Sequence, residues 1–377
     1  MANANRDRLR GLAPELHCMI AEFTVRDGLR SLRQVSKCWN AAATPVLFRE
    51  FAFRIHTTPE EWSKRIRFEL GAFVKTFTVT TIEYERLNFG EYKARRLPNN
   101  IRHASSNVQH GLEHPRQGFA SYKQCRDDHM ELLAERHCLA YLSVLLDSMK
   151  NLQKVKLTGD CLAVNQRNPS LAVGPKSGLA DMGKSHLHVL LSALAAARSP
   201  LSELTVHGLG EDHLRYKAFD VPATHGNLTV CSKLTVLDLN FIHGFHDDPD
   251  VTATTNLNPE GISFVARTLS CAINLLHLTL TLDHDSDFDN VEPKDLRLVL
   301  HGCRLPRLLT CKLRCSIISY TTLANFIRGS PNLSQLTIWE TKTNPNTLHD
   351  IHAALRKDFP HLTLEINGIR AVGTLET

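Results

Sequence analysis

Leu275-Leu276-His277-Leu278-Thr279-Leu280 places apolar residues at its first, fourth and sixth positions. Its last three residues alternate with the period of a half-buried strand. The same phrase returns as Leu152-Gln153-Lys154-Val155-Lys156-Leu157, as Leu201-Ser202-Glu203-Leu204-Thr205-Val206 and as Leu234-Thr235-Val236-Leu237-Asp238-Leu239. Further copies are Leu308-Leu309-Thr310-Cys311-Lys312-Leu313 and Leu333-Ser334-Gln335-Leu336-Thr337-Ile338. Weaker ones begin at Val74, with Phe77 and Val79, and at Leu362, with Leu364 and Ile366 one residue short. Most follow a Pro, Asn, Ser or Lys turn residue, as in Ser330-Pro331-Asn332.

Helical patterns lie between the copies. Residues 130–149, 185–198, 259–272, 293–303, 321–328 and 347–357 place apolar side chains at steps of three and four. Several open with Pro, Ser or Thr, and Gly329 follows one end. Strand-then-helix units in series predict parallel strands, because a parallel neighbour requires a crossover. The expected fold class is α/β, a curved solenoid whose neighbouring units share one core. An ordinary open α/β domain that carries the same strand phrases is the competing architecture.

The phrase resembles the leucine-rich repeat, over roughly Val74 to Ile366. That family often carries Asn or Cys three residues beyond the strand; here Asp160, Leu209, Ile242, Asp283, Ser316 and Thr341 stand there. The turns must therefore be satisfied differently, and the repeats are expected to be irregular. Leu201 and Leu234 are 33 residues apart, as are Leu275 and Leu308, whereas Leu308 and Leu333 are 25 apart.

Ahead of the array, Leu16, Met19, Ile20 and Phe23 recur at helical spacing behind Pro14. Asp27 and Gly28 interrupt the pattern, and Leu29, Leu32, Val35 and Trp39 resume it, with Ser36 as a cap between two short helices. Thr44-Pro45 is expected to end that run and open another turn. Three short amphipathic helices in so few residues bury their apolar faces poorly alone, which predicts docking against the rest of the chain or a partner.

Leu12-Ala13-Pro14-Glu15-Leu16, the run Leu29 to Trp39 containing Val35-Ser36-Lys37, and Pro45-Val46-Leu47-Phe48-Arg49 resemble an F-box. Ala13 stands where that family commonly has Pro, and Gly28 where it usually has Asp. The resemblance implies binding of the Skp adaptor of a Skp–cullin–F-box ubiquitin ligase. Pro14, Glu15, Leu16, Ile20, Leu32, Val35 and Trp39 are then the residues that build or line that interface. A cap that merely closes the array is the alternative. The expected organisation is an F-box-like module over 9–55, a first strand with an irregular insertion or linker over 56–130, and a leucine-rich-repeat-like solenoid over 131–369.

Composition narrows the class. Hydrophobic residues form 42% and charged residues 22% of the 377, close to a globular average. The net charge of +5 is spread along the chain, and no nucleic-acid motif accompanies the small cluster at Lys93, Arg95 and Arg96. No apolar core of a signal peptide opens the sequence. The longest apolar stretch, Leu187 to Ala197, contains His188 and Ser192 and is too short to span a bilayer. A cytoplasmic or nuclear protein that binds neither membrane nor nucleic acid is expected, its 10 cysteines reduced.

The sequence holds no Cys-x-x-Cys pair; His301-x-Cys303 and Cys311-x-x-x-Cys315 are isolated, so no zinc site is expected. The acidic run Asp283 to Asp289 has Phe288 where a calcium loop needs Gly and Lys294 where it needs Glu. Phosphate-binding and hydrolase-elbow glycine motifs are missing. No cofactor, metal or catalytic residue is expected. The expected function is a non-catalytic substrate-recognition subunit, with ubiquitin transfer left to other subunits. The second reading is a free-standing interaction scaffold. Polar insertions over 158–184, 208–231 and 243–259 would share the rim at the strand C-terminal ends, a common place for recognition. Residues 82–128 read as a partly ordered insertion.

Overall fold

The computed structural model describes residues 12–55, 68–81, 89–90, 116, 119–120, 123–124, 127, 137–159, 183–210, 225–242, 268–282, 299–300, 302–314, 319–339 and 345–366. Three helices come first, α1 (Pro14–Glu22), α2 (Arg26–Val35) and α3 (Lys37–Leu47). Nine strands follow: β1 (Glu50–Ile55), β2 (Thr76–Thr81), β3 (Lys154–Gly159), β4 (Glu203–Gly210), β5 (Val236–Ile242), β6 (His277–Leu282), β7 (Thr310–Arg314), β8 (Gln335–Trp339) and β9 (Thr363–Ile366). A short 3-10 helix (Phe68–Phe73) precedes β2. Between strands lie α4 (His137–Ser148), α5 (Gly183–Ala196), α6 (His225–Lys233), α7 (Tyr320–Arg328) and α8 (Pro345–Asp358).

The strands form one open parallel sheet in the order of the sequence, β1 to β9, each hydrogen-bonded to its chain neighbours. All eight copies of the phrase become strands in matched register. Phe51, Phe77, Val155, Leu204, Leu237, Leu278, Cys311, Leu336 and Leu364 are aligned in one row, and two residues on Phe53, Val79, Leu157, Val206, Leu239, Leu280, Leu313, Ile338 and Ile366 form a second. Both rows face one side. They merge with Leu142, Leu190, Leu194, Phe326 and Leu355 of the helices into a single buried cluster. The opposite sheet face carries mainly Thr, Lys and other polar residues. A strand with one face buried alternates in this way because successive side chains leave opposite sides of the pleat.

The first apolar residue of each phrase lies just ahead of its strand. Val74, Leu152, Leu201, Leu234, Leu275, Leu308, Leu333 and Leu362 are all buried there. Beside them runs a backbone ladder. The carbonyl of Arg49 accepts from the N–H groups of Lys75 and Thr76, and that of Lys75 from Gln153 and Lys154. The carbonyls of Gln153, Ser202, Thr235, Leu276 and Leu309 each take two consecutive N–H groups of the next unit in the same way, at 2.8–3.1 Å. One carbonyl has two lone pairs, so a single oxygen satisfies two donors that the turn into a strand would otherwise orphan.

The Asn ladder missing after the strands has a counterpart before them. Asn151 Nδ2 donates to the Ala72 carbonyl at 2.7 Å, Asn274 to Ser232 at 2.8 Å and Asn332 to Pro306 at 2.6 Å. Each Asn immediately precedes the first buried Leu of its phrase, and each acceptor lies two residues ahead of the first buried Val or Leu of the previous unit. Lys233 makes the same reach to the Ser199 carbonyl at 3.4 Å. Gly329 caps α7 with an ordinary φ of −74°. Its missing side chain matters instead for approach, since a Cβ there would lie 2.6 Å from the Cys303 carbonyl oxygen.

Several expectations need correction. The sheet begins one strand earlier than the copies singled out, since Phe48-Arg49-Glu50-Phe51-Ala52-Phe53 repeats their spacing with Phe in place of Leu and forms β1. Residues 225–233, read as part of a polar insertion, form α6; Gly226, Asn227, Thr229 and Ser232 give it low helix propensity, and burial of Val230 and Cys231 sustains it. Thr44-Pro45 does not end α3, which continues to Leu47. The proline sits in the last turn, where few intrahelical bonds remain to be lost. Asp27 and Gly28 do not break the pattern but fall in the first turn of α2, capped by the backbone of Val25, while Asp27 pairs with Arg30 at 3.0 Å. The helices expected over 259–272 and 293–303 are described only at 268–271 and 299–300, and the insertions at 160–182, 211–224 and 243–267 and the acidic run lie outside the described residues. So does most of 82–128, although Phe89 and Phe119, both helical, meet edge-on at 5.5 Å.

Because Asn274 also accepts from Arg307 at 3.0 Å, it joins three consecutive units. Asn274→Ala is expected to lower unfolding stability by about 1–2 kcal/mol, read as a shift in urea midpoint, whereas Lys357→Ala on the exposed end of α8 should change it by less than about 0.5 kcal/mol.

Candidate interaction site

The three N-terminal helices fold by local chemistry. Pro14 occupies the first position of α1, where its absent N–H is no loss. Phe23 closes α1 by donating its N–H to the Met19 carbonyl, and Thr24 Oγ1 bonds the Ile20 carbonyl at 2.6 Å. Ser36 ends α2 and caps α3, its hydroxyl accepting from the Trp39 N–H at 3.3 Å. Gly28 stands where a Cβ would meet Thr24 Cγ2 at 2.6 Å. Any larger side chain at this place would therefore require Thr24 to move.

The core of these helices is small: Ala21, Leu29, Ala42 and Ala43, with Leu32, Val46 and Leu47 packed around it. Alanines let α1 and α2 approach α3 closely. On α1 this reverses the usual amphipathic order, for the buried residues are His17 and Ala21. The apolar stripe faces outward: Leu16 is 41% exposed, Met19 53%, Ile20 38% and Phe23 87%, joined by Val25 at 77% and Val35 at 56%. These six lie together in one small module. Large exposed apolar side chains clustered on one helix make this a candidate interaction surface.

The seven residues singled out from the sequence therefore separate. Pro14, Glu15, Leu16, Ile20 and Val35 are exposed, and Leu32 is half-buried. Trp39 is 2% exposed and packs edge-on against His17, with ring centroids 4.4 Å apart. Trp39 holds α1 on α3 from inside and leaves the outward stripe to the aliphatic residues. Met19, Phe23 and Val25 were not among the seven. The helical spacing of Leu16, Met19, Ile20 and Phe23 was visible, but periodicity alone does not tell whether a stripe faces inward or outward.

The module joins the sheet without a linker, since only Phe48 and Arg49 separate α3 from β1. Arg49 pairs with Glu22 on α1, and this bond holds the Glu22 carboxyl below its usual range and raises the Arg49 guanidinium. Arg33 stacks over the Phe48 ring at 5.1 Å. α3 also touches the 3-10 helix ahead of β2.

A second surface is the sheet face opposite the helices. Lys154 pairs with Glu203 at 2.8 Å, and His207 Nε2 lies 2.9 Å from Asp238 Oδ2. Further along, His277 Nδ1 lies 2.8 Å from Thr310 Oγ1, and Lys312 Nζ sits 5.6 Å from the centroid of the Trp339 ring. No cluster of three potential metal-ligating His, Cys, Asp or Glu residues occurs among the described residues. No described helix is long and apolar enough to cross a membrane. Burial pushes the Cys231 thiol up to about 12 and the Cys303 thiol up to about 11, so neither is a nucleophile near neutrality. No family model matches the chain, and no curated protein is significantly similar to it in sequence.

Two predictions follow from this geometry. Trp39→Ala should cost about 3–5 kcal/mol in unfolding of the module, and Leu16→Asp less than about 1 kcal/mol, measured by hydrogen exchange of the backbone amides of residues 26–47. In the native protein at neutral pH, iodoacetamide should modify Cys18 and Cys38, which are exposed, before Cys231, Cys303 and Cys311, which are buried; mass spectrometry of the digested protein reads the order.

Proposed function

We propose that this chain is a substrate-recognition adaptor subunit of a Skp–cullin–F-box ubiquitin ligase. In this reading the N-terminal helices are an F-box that binds a Skp-type adaptor, and through it the cullin. The strand and helix units form a leucine-rich-repeat-like solenoid that binds a target protein. The chain is non-catalytic: it supplies positioning and raises the effective concentration of the target near the transfer machinery, in the cytoplasm or nucleus.

One observation carries the reading: α1 buries His17 and turns Leu16, Met19, Ile20 and Phe23 outward. A helix that served only to close the array would bury that stripe against the chain itself. Covering these side chains is worth roughly 1.5–3 kcal/mol for each one fully buried, enough in sum to anchor a stable complex. The sequence-ordered sheet with helices on one side supports the solenoid reading, because each unit then contacts only its neighbours. The contact of α3 with the 3-10 helix favours a second reading, in which the module caps an interaction scaffold that has no part in ubiquitination.

Co-purification separates the two. The full chain, mixed with a purified Skp-type adaptor, is expected to form a one-to-one complex by size exclusion. Leu16→Asp combined with Ile20→Asp should abolish that complex while the thermal transition of the sheet is unchanged. A folded wild-type chain that captures no adaptor would leave the scaffold reading standing.

A further inference from the structure

The carbonyl ladder sets each unit on the one before it, so equivalent positions form rows along the strand-start rim. The row one residue ahead of the first buried Leu holds Lys233, Asn274 and Arg307 in three successive units. Arg307 donates to Asn274 Oδ1 at 3.0 Å, and Asn274 donates to the carbonyl of Ser232, beside Lys233, at 2.8 Å. Apolar residues flank this row on both sides. Ile273, 51% exposed, and Pro306, also exposed, stand one position further ahead, and Leu309, 40% exposed, stands just past the buried Leu308. Arg304 is exposed two residues ahead of Pro306, and neither it nor Arg307 makes an ion pair among the described residues. No Asp or Glu occurs over 268–282, 302–314 or 319–339. A cation at a helix end complements the helix dipole, as Lys233 does in the last turn of α6. That role does not account for Ile273 and Leu309, whose exposure the ladder does not require.

We propose that this rim, from Lys233 to Leu309, is a docking site for an acidic amphipathic helix of the target. The backbone of Thr235, Leu276 and Leu309 is already paired in the ladder, so the rim offers no free row of N–H and C=O groups to an added strand. A helix brings a backbone that is satisfied internally. Its side chains three and four residues apart are ~5–6 Å from one another, close to the ~4.8 Å that separates neighbouring strands. Apolar side chains one turn apart then reach Ile273 in one unit and Pro306 or Leu309 in the next. Carboxylates beside them reach Arg304 and Arg307, where charge-assisted hydrogen bonds form. Other anionic partners fit less well. A nucleic acid gains little from Ile273 and Leu309 and finds few cations to neutralise its phosphates. A bilayer surface is normally held by aromatic anchors beside the basic residues, and these rows contain no aromatic residue.

The inference rests on the reading of this chain as a target-recognition subunit and is tested without the adaptor. A display library of random peptides, long enough for several helical turns, is selected on the purified full chain. The Leu309→Asp chain serves as counter-selection, and the enriched peptides are titrated by fluorescence anisotropy. Apolar residues at helical spacing, flanked by Asp or Glu, are the expected consensus. Ile273→Asp and Arg304→Glu, two changes at exposed side chains, should each weaken these peptides by roughly tenfold or more, and rising salt should weaken them likewise. Lys156→Glu on β3 and Leu16→Asp on α1 should leave them unchanged, and circular dichroism melts check that every variant is folded. The proposal is overturned if no such consensus emerges or if folded Ile273→Asp and Arg304→Glu chains bind the selected peptides as well as wild type. It is also overturned if oligouridylate RNA or phosphatidylserine vesicles bind more tightly and displace them. Failure of adaptor capture with intact peptide binding would sink the ligase reading alone, and the converse would sink the docking site alone.

Discussion

The constraint on which this structure depends is the satisfaction of two consecutive backbone N–H groups at the start of each strand from β2 to β8. Every unit has to turn from a helix or loop into a parallel strand, and that turn leaves donors facing the previous unit. One carbonyl per unit takes both, from Arg49 through Lys75, Gln153, Ser202, Thr235 and Leu276 to Leu309. The residue behind each pair is the buried first Leu or Val of the phrase, so the polar ladder and the apolar column run side by side. Neither is stable without the other: an unsatisfied amide in that apolar setting costs about 1–3 kcal/mol, and an unanchored turn would not bring its leucine to the column.

Fixing the start of each strand frees its end. Matched register along the buried rows does not require equal segments between strands, only that each chain return to the same rung. Units as different as the one between β2 and β3 and the one between β7 and β8 therefore stack on one ladder. Loop entropy rises only slowly with length, so the longer connections weigh little against the buried column. The side-chain rungs from Asn151, Asn274 and Asn332 add specificity at the same level. They replace the turn ladder that this sequence lacks beyond its strands, and they place the fixed chemistry at the strand starts and the variable chemistry at the strand ends.

What could be read from the sequence follows this division. The phrase was visible because it contains both the column residue and the two strand residues that face it, and all eight copies are strands. β1 was overlooked: Phe48-Arg49-Glu50-Phe51-Ala52-Phe53 carries the same spacing, but with Phe at each apolar position and directly behind α3. α6 was hidden, since its helicity comes from burying Val230 and Cys231 and not from its own residues. The Asn residues were noticed as turn formers, yet their bonds reach into another unit and no local pattern reveals that. The N-terminal helices were legible to within a few residues. The orientation of α1 was not, because His17 and Leu16 are adjacent in the chain, and the packing of His17 on Trp39 and of Ala21 with Ala42 and Ala43 selects which of them is inside.

Arg49 is where the two parts of the molecule become one object. Its carbonyl is the first rung of the ladder, its side chain pairs with Glu22 on α1, and its neighbour Phe48 lies under Arg33 of α2. Strand, first helix and second helix thus converge on two consecutive residues. The ion pair itself is surface-exposed and energetically modest, so its role is geometric: with α3 packed on the 3-10 helix, it removes the freedom that a flexible joint would leave. A flexible joint spreads whatever the two surfaces hold over a large volume and dilutes each with respect to the other, whereas a fixed joint keeps them at one separation and one angle. The apolar stripe of α1 and the polar face of the sheet are held in that way on a single frame.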